Sequence, residues 1–228
     1  MALERVSEVE KFDHYAQTYE QAHAQSVKLS GEGPEFFAEH KLGCLLRMGV
    51  SGKHSVLDYG CGTGGLTRLS SERFGFVAGY DPSERSLEVA RERAPRATFY
   101  SAEASIPDAR FDAAILSGVL HHVSPPERRG VVATVASKLK PGGRLFVFEH
   151  NPYNPLTQRA VRACPFDDDA ILLSPRELRR LLAAAAFTSV RQDYVLFFPR
   201  RLALLRPLET LLRAFPLGAQ TLTIGARP

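Results

Sequence analysis

The run Val56-Leu57-Asp58-Tyr59-Gly60-Cys61-Gly62-Thr63-Gly64-Gly65-Leu66 constrains the fold more than any other stretch of the chain. Apolar residues lead to an acid, a glycine-rich turn follows, and a helical pattern then begins. That order describes a buried strand, a tight turn and a helix N-terminus. Glycine is needed in such a turn because a side chain would strike a ligand lying on the backbone, and because some turn dihedrals exclude a Cβ. The N–H groups at the helix start attract polar or anionic ligands. The stretch is therefore a small-molecule cradle.

Strand and helix patterns alternate downstream of it. Strands are expected over 55–59, 76–80, 97–101, 111–116, 144–149, 190–198 and 221–226, with helices over 65–74, 83–93, 124–139 and 174–186. Short buried strands separated by helices indicate an α/β fold, a mainly parallel seven-stranded sheet with helices on both faces. Ser83 and Ser174 are placed as helix caps, Ser124 with Glu127 reads as a capping box, and Lys140–Gly143 reads as a turn before a strand. Upstream, Ser7 and Glu10 form a capping box for a helix over 8–22, and Pro34 opens a second helix to about residue 48. These two precede the first strand, so residues 1–50 are expected to be an N-terminal helical attachment to a core over 51–228. Loops over 151–174 and a leucine-rich stretch over 199–218, broken by Pro207, are expected to be insertions around a pocket.

Composition narrows the partners. The 228 residues suit one α/β domain with additions, and 44% hydrophobic with 24% charged residues is ordinary for a globular protein. The net charge of +4 is too small to argue for nucleic acid, and no basic stripe is mixed with aromatics. Charge is uneven, with eight acids and four bases in 1–41 against nine arginines and three acids in 170–228. Phe197–Arg206 combines apolar bulk with basic residues. It reads first as a cover over the sheet or a pocket wall, and secondarily as a contact with a lipid surface. Three cysteines without metal spacing imply no disulfide framework. The first residues lack a signal-peptide core and no apolar run reaches membrane-spanning length, so a cytoplasmic location is expected.

Gly60, Gly62 and Gly65 satisfy G-x-G-x-x-G and Asp81 ends the second strand, which would also suit a dinucleotide. Asp58 shifts the balance. A carboxylate two residues before the first glycine faces a positive charge better than a pyrophosphate, so a ligand with an amino group and a ribose suits Asp58 and Asp81 together.

The same residues resemble the first motif of class I S-adenosylmethionine-dependent methyltransferases. Further matches follow in order: Gly79-Tyr80-Asp81-Pro82-Ser83, Ala102-Glu103, Phe111–Ile115, Leu120-His121-His122-Val123 and Leu139–Gly143. The resemblance covers about 54–150, and the later Glu149–Pro155 and Cys164–Asp167 resemble a bacterial subgroup acting on small molecules. It implies a Rossmann-like, doubly wound sheet with an N-terminal helical lid, S-adenosyl-L-methionine as cofactor, and a small-molecule methyl acceptor. By the resemblance, Asp58 and the backbone of Gly60, Cys61, Gly62, Thr63 and Gly64 would hold the methionine end. Asp81, beside Pro82, would accept from the ribose hydroxyls, and Ala102 and Glu103 would border the adenine. Leu116, Ser117 and Gly118 would lie near the sulfonium, with Tyr15 and Tyr19 on a helix closing over the cofactor.

The strand order implied by the family reverses between the strands ending at Asp58 and Leu116, so the loop 117–123 opens onto the cradle. Methyl transfer is an in-line displacement helped mainly by positioning, with a base needed only where the acceptor loses a proton. His121, His122 and His150, then Glu149, are the candidates for that role. No metal is expected, because the adjacent Asp167, Asp168 and Asp169 diverge on a loop while a cation site needs converging atoms. The expected activity is methylation of an oxygen or nitrogen on a sugar, lipid-linked or natural-product intermediate. The alternatives are a protein using the same pocket for other chemistry, such as a cyclase, or for binding only, and a nicotinamide-dependent reductase.

Overall fold

A computed structural model of the chain describes residues 8–228. Three helices come first: α1 (Glu8–Tyr15), α2 (Tyr19–Ser26) and α3 (Pro34–Arg47). The single helix expected over 8–22 is thus two, divided by a turn in which the Thr18 N–H donates to the Tyr15 carbonyl at 2.9 Å. The break lets α2 set off in a new direction and lay Tyr19 flat on Phe166, with ring centroids 4.7 Å apart. Tertiary packing overrides helix continuity here. Ser7, the other half of the expected capping box, lies outside the described residues. Pro34 occupies the first turn of α3 as expected, where its missing N–H costs nothing.

The core then follows as β1 (Ser55–Tyr59), α4 (Gly65–Ser71), β2 (Phe76–Tyr80), α5 (Glu84–Arg93), β3 (Thr98–Tyr100), β4 (Phe111–Ser117), α6 (Arg128–Lys138) and β5 (Leu139–His150). After it come α7 (Pro155–Ala163), α8 (Pro175–Ala184), β6 (Thr188–Val195), α9 (Glu209–Leu212) and β7 (Gln220–Ala226). The expected caps at Ser83 and Ser174 are formed, accepting from the N–H groups of Ser86 and Glu177. Ser124 does not cap: its hydroxyl bonds the Glu127 carboxylate, and α6 starts only at Arg128 because Ser124–Glu127 forms a turn. Lys140–Gly143 is a bulge inside β5 rather than a turn before it, since both Leu139 and Arg144 pair with β4. The helix α7 was not foreseen, although Asn154-Pro155 is a good start signal. Asn154 accepts from the N–H groups of Leu156 and Thr157, with proline in the first turn. The 200–215 stretch breaks near Leu202 rather than at Pro207, running as a 3-10 segment over Arg200–Leu208 and then α9.

The seven strands lie in the order β3-β2-β1-β4-β5-β7-β6, with only β7 antiparallel to β5 and to β6. Alternate strand residues enter opposite cores. Leu57, Ala114 and Leu116 pack with Val132 and Val135 of α6 and Leu178 and Leu182 of α8. Val56, Ala113 and Ile115 pack with Leu42 and Leu45 of α3 and Leu69 of α4. This two-sided burial is why the strands read as unbroken apolar runs, each buried large aliphatic side chain contributing about 1.5–3 kcal/mol. It also makes α3 a covering layer of the sheet. The order reverses between β1 and β4, as the family order implied, and the C-terminal ends of β1, β2, β4 and β5 meet along one edge.

Candidate cofactor and acceptor site

At that edge lies a cavity of about 930 Å³, walled by the glycine loop, the loop after β4 and the three N-terminal helices. Its lining includes Asp58, Gly60, Cys61, Gly62 and Thr63 from the first turn, Asp81 and Pro82 after β2, and Ser117, Gly118 and His122 after β4. Tyr19 lines it from α2. Tyr15 does not; it meets Phe166 edge-on at 6.0 Å instead. Gly64, Ala102, Glu103 and Leu116 are not part of its lining, and Ala102 is exposed to solvent. Leu116 is fully buried in the core, and Glu103 accepts a hydrogen bond from the Tyr59 hydroxyl.

Two glycines explain the turn. Gly60 has φ +77°, and a Cβ there would stand 2.5 Å from Val119 Cγ2. Gly62 has φ +51°, but a Cβ there would meet nothing within 4 Å, because this part of the backbone faces the cavity. The first glycine serves the fold, and the second keeps ligand space open.

Two acids flank this backbone. The Asp81 carboxylate accepts from the Gly62 N–H at 2.8 Å and the Ser83 N–H at 3.0 Å, so it sets the glycine loop as well as facing the cavity. Burial pushes its carboxyl up, and those two N–H bonds pull it back. Asp58 is buried and accepts from the Thr67 hydroxyl at 2.7 Å. Its burial is strong enough to raise the carboxyl to about 6, against the opposing pull of Thr67 and Lys41. Lys41, on α3, also lines the cavity, and burial lowers its ammonium to about 8 while Asp58 and Glu149 hold it up. Sequence reading passed over Lys41. A signal existed, because its spacing from Ala38 and Leu45 puts a cation in the apolar stripe of α3.

The four residues expected to do acid–base work are brought together. The Glu149 carboxylate, at the end of β5, accepts from the Leu120 N–H at 2.8 Å and pairs with His121 Nδ1 at 2.6 Å. Burial alone would lower the His121 imidazole, but Glu149 and then Asp167 raise it, while burial is outweighed by His121 in drawing Glu149 down. Burial lowers His122, and it lowers His150 to about 4. His121, His150 and Glu149 lie behind the cavity wall, and only His122 lines it, in edge contact with Phe12 at 5.0 Å. The three aspartates part company. Asp167 is buried against the histidines, whereas Asp168 and Asp169 turn outward to Lys11.

Residues 56–143 match a family model described as a methyltransferase domain. The chain is 37% identical over 107 residues to a demethylmenaquinone methyltransferase of Tropheryma whipplei, covering 45% of this chain and 44% of that one. It is 36% identical over 127 residues to a ubiquinone biosynthesis O-methyltransferase of Idiomarina loihiensis, covering 49% and 51%. The match thus spans about half the length of these curated relatives. A Thermotoga maritima structure described as an S-adenosylmethionine-dependent methyltransferase, possibly acting on histamine, superposes with TM-score 0.70 at 22% identity, covering 97% and 100% of the two chains. That last likeness speaks for the fold. The glycine turn, the β1–β4 reversal and the motifs down to Gly143 all lie within residues 56–143, the part of the chain that is similar to the methyltransferase-domain family.

Proposed function

We infer that this protein binds S-adenosyl-L-methionine in the cavity and transfers its methyl group to an oxygen or nitrogen of a small molecule. The observation that carries this reading is the open space over Gly62, flanked by Asp58 and Asp81. A ligand fills space there that any side chain would close. When bound, the cofactor supplies a methyl group activated by a sulfonium. Asp58 and Lys41 present opposite charges at one end of the cavity, a pair suited to an amino-acid ammonium and carboxylate. Asp81 suits ribose hydroxyls, and the Gly60–Thr63 backbone runs along the ligand. Tyr19 and Phe12 come from helices that cover the site, so residues 1–50 serve as the lid of a 51–228 core in this reading. Tyr15 and Glu103 support it through Phe166 and Tyr59 rather than by contact.

The remaining walls include Phe12, Phe37, Ala38 and Val119, which favours an acceptor with an apolar body. The quinone names of the curated relatives agree with that chemistry. His122 is the catalytic candidate beside the acceptor, while His121, Glu149 and His150 act as positioning residues behind it. A cytoplasmic location is part of the reading; among the described residues no helix is long and apolar enough to cross a membrane. Incubation with methyl-labelled cofactor and a panel of hydroxylated and amino-substituted aromatic acceptors should give labelled product. His122→Ala should lower kcat and leave cofactor affinity unchanged. Tight binding of the demethylated cofactor with no transfer across the panel would sink the methyl-transfer reading.

Asp58 also gives cofactor binding a pH dependence. A ligand ammonium beside it requires the ionised carboxylate, so affinity for the demethylated cofactor is complete above the Asp58 value of about 6 and falls below it. The loss is about tenfold per pH unit, because each unit spent holding the proton off is about 1.4 kcal/mol. In the free protein the same shift has the opposite consequence for stability. The folded state holds this proton more tightly than the unfolded chain, so the contribution of Asp58 is complete below 3.8 and lost as pH rises through about 6. The groups facing it are Lys41 from α3, Asp81 from the end of β2 and Thr67 from α4. Calorimetry from pH 5 to 8 checks the slope; a flat wild-type profile, or an equal slope in Asp58→Asn, contradicts the assignment.

A further inference from the structure

The geometry points to a binding site for a divalent first-row transition ion, of the zinc type, formed by His121, His150 and Asp167. One ligating atom from each of the three lies within 4.8 Å of the others. His121 Nε2 is 3.6 Å from Asp167 Oδ1, and His150 Nε2 is 3.9 Å from Asp167 Oδ2. These separations are too long for hydrogen bonds. They approach the edge of a coordination polyhedron, since two ligands each about 2.0–2.1 Å from a tetrahedral zinc stand roughly 3.4 Å apart. A contraction of a few tenths of an ångström brings each histidine to that spacing from Asp167, and all three ligating atoms already lie within 4.8 Å of one another.

Each ligand comes from a different segment: the loop after β4, the end of β5, and the loop between α7 and α8. That convergence is what the run of three aspartates lacks by itself. It reverses the expectation that this chain carries no metal site, because Asp167 alone of the three turns inward.

The surroundings support the assignment independently. The other nitrogen of His121, Nδ1, is 2.6 Å from Glu149 Oε2, and both side chains are buried. A carboxylate on the far nitrogen is the usual companion of a metal-bound histidine, fixing its tautomer and aiming the opposite nitrogen at the ion. Glu149 is in turn held by the Leu120 N–H. The charge count also fits. Glu149 and Asp167 are two buried carboxylates, and a divalent cation with neutral imidazoles balances them, as buried charge requires. Two imidazoles and one carboxylate select zinc, iron, cobalt or nickel over magnesium or calcium.

The ion lies behind the cavity wall, next to His122, whose Nε2 is 3.3 Å from Asp167 Oδ1. Its work is to hold the Asp167 loop, and with it Phe166 and the stacked Tyr19, against the ends of β4 and β5. This is a positioning role and does not depend on methyl transfer.

The chelator-treated, desalted full chain should be titrated with Co²⁺ and followed by visible absorption and by melting temperature. One equivalent per chain should bind, the melting temperature should rise, and Zn²⁺ should displace the cobalt and bleach the absorption. His150→Gln and Asp167→Asn should abolish that absorption, while Glu149→Gln should weaken binding by about 10–100-fold. A double Asp168→Asn, Asp169→Asn variant should bind as the wild type does. His150 is the more exposed ligand, so its variant should keep its fold if Asp167→Asn does not. No absorption and no rise in melting temperature with wild type, or equal binding by His150→Gln, would overturn the site. None of these readouts requires turnover or bound cofactor.

Discussion

Asp81→Ala is expected to weaken binding of the demethylated cofactor by at least about a hundredfold. The carboxylate already accepts the Gly62 and Ser83 N–H groups, and its outward lone pairs face the cavity. Hydrogen bonds to a charged group contribute about 1.5–3 kcal/mol each. Two bonds to ribose hydroxyls therefore account for about two to four orders of magnitude, before any loosening of the glycine loop. Asp81→Asn keeps the shape and part of the accepting capacity, so it should fall between wild type and alanine. Calorimetry measures the affinities, and a thermal melt separates lost binding from lost fold. An alanine variant that melts normally and binds within about threefold of wild type would remove Asp81 from the cofactor site.

Arg128→Ala is expected to cost the fold about 3–6 kcal/mol, from two hydrogen bonds made by a buried charged group at about 1.5–3 kcal/mol each. Arg128 is 1% exposed and opens α6. Its guanidinium donates to the Val123 carbonyl at 3.0 Å, the Ile171 carbonyl at 2.6 Å and Glu177 Oε1 at 2.7 Å. Those partners belong to the loop after β4, the loop before α8, and α8 itself. One side chain thus joins two loops that bring His121 and Asp167 together. The Glu177 contribution is discounted because that side chain is 40% exposed, which leaves the two carbonyls as the main loss. Lysine should not rescue, since its single ammonium cannot reproduce the planar fork that reaches three acceptors. Urea denaturation checks the figure; a loss below about 1 kcal/mol would show that water replaces these bonds readily.

Arg128 also shows where local reading stops. In Glu127-Arg128-Arg129-Gly130 the two arginines look alike, yet Arg128 is buried and Arg129 exposed. The choice depends on α8 and the Ile171 loop arriving from more than 40 residues away in sequence. The break between α1 and α2 is similar, because it serves the stacking of Tyr19 on Phe166. Lys41 was legible in principle, as a cation in an apolar stripe, but periodicity could not say which cavity it faced.

The strands β1, β2, β4 and β7, the caps at Ser83 and Ser174, and the glycine cradle with Asp58 and Asp81 were all readable along the chain. Each follows from interactions within a few residues: short unbroken apolar runs, side-chain caps, and dihedrals that only glycine tolerates. The downstream motifs added the sheet order. Only the tertiary structure decided that Tyr15 turns away from the cavity, that Asp167 leaves its neighbours, and that His121, His150 and Glu149 stand behind His122. Local pattern tells which face of an element is buried. Which buried faces meet is set by how the elements pack, and that packing assembles the cluster from three separate segments of the chain.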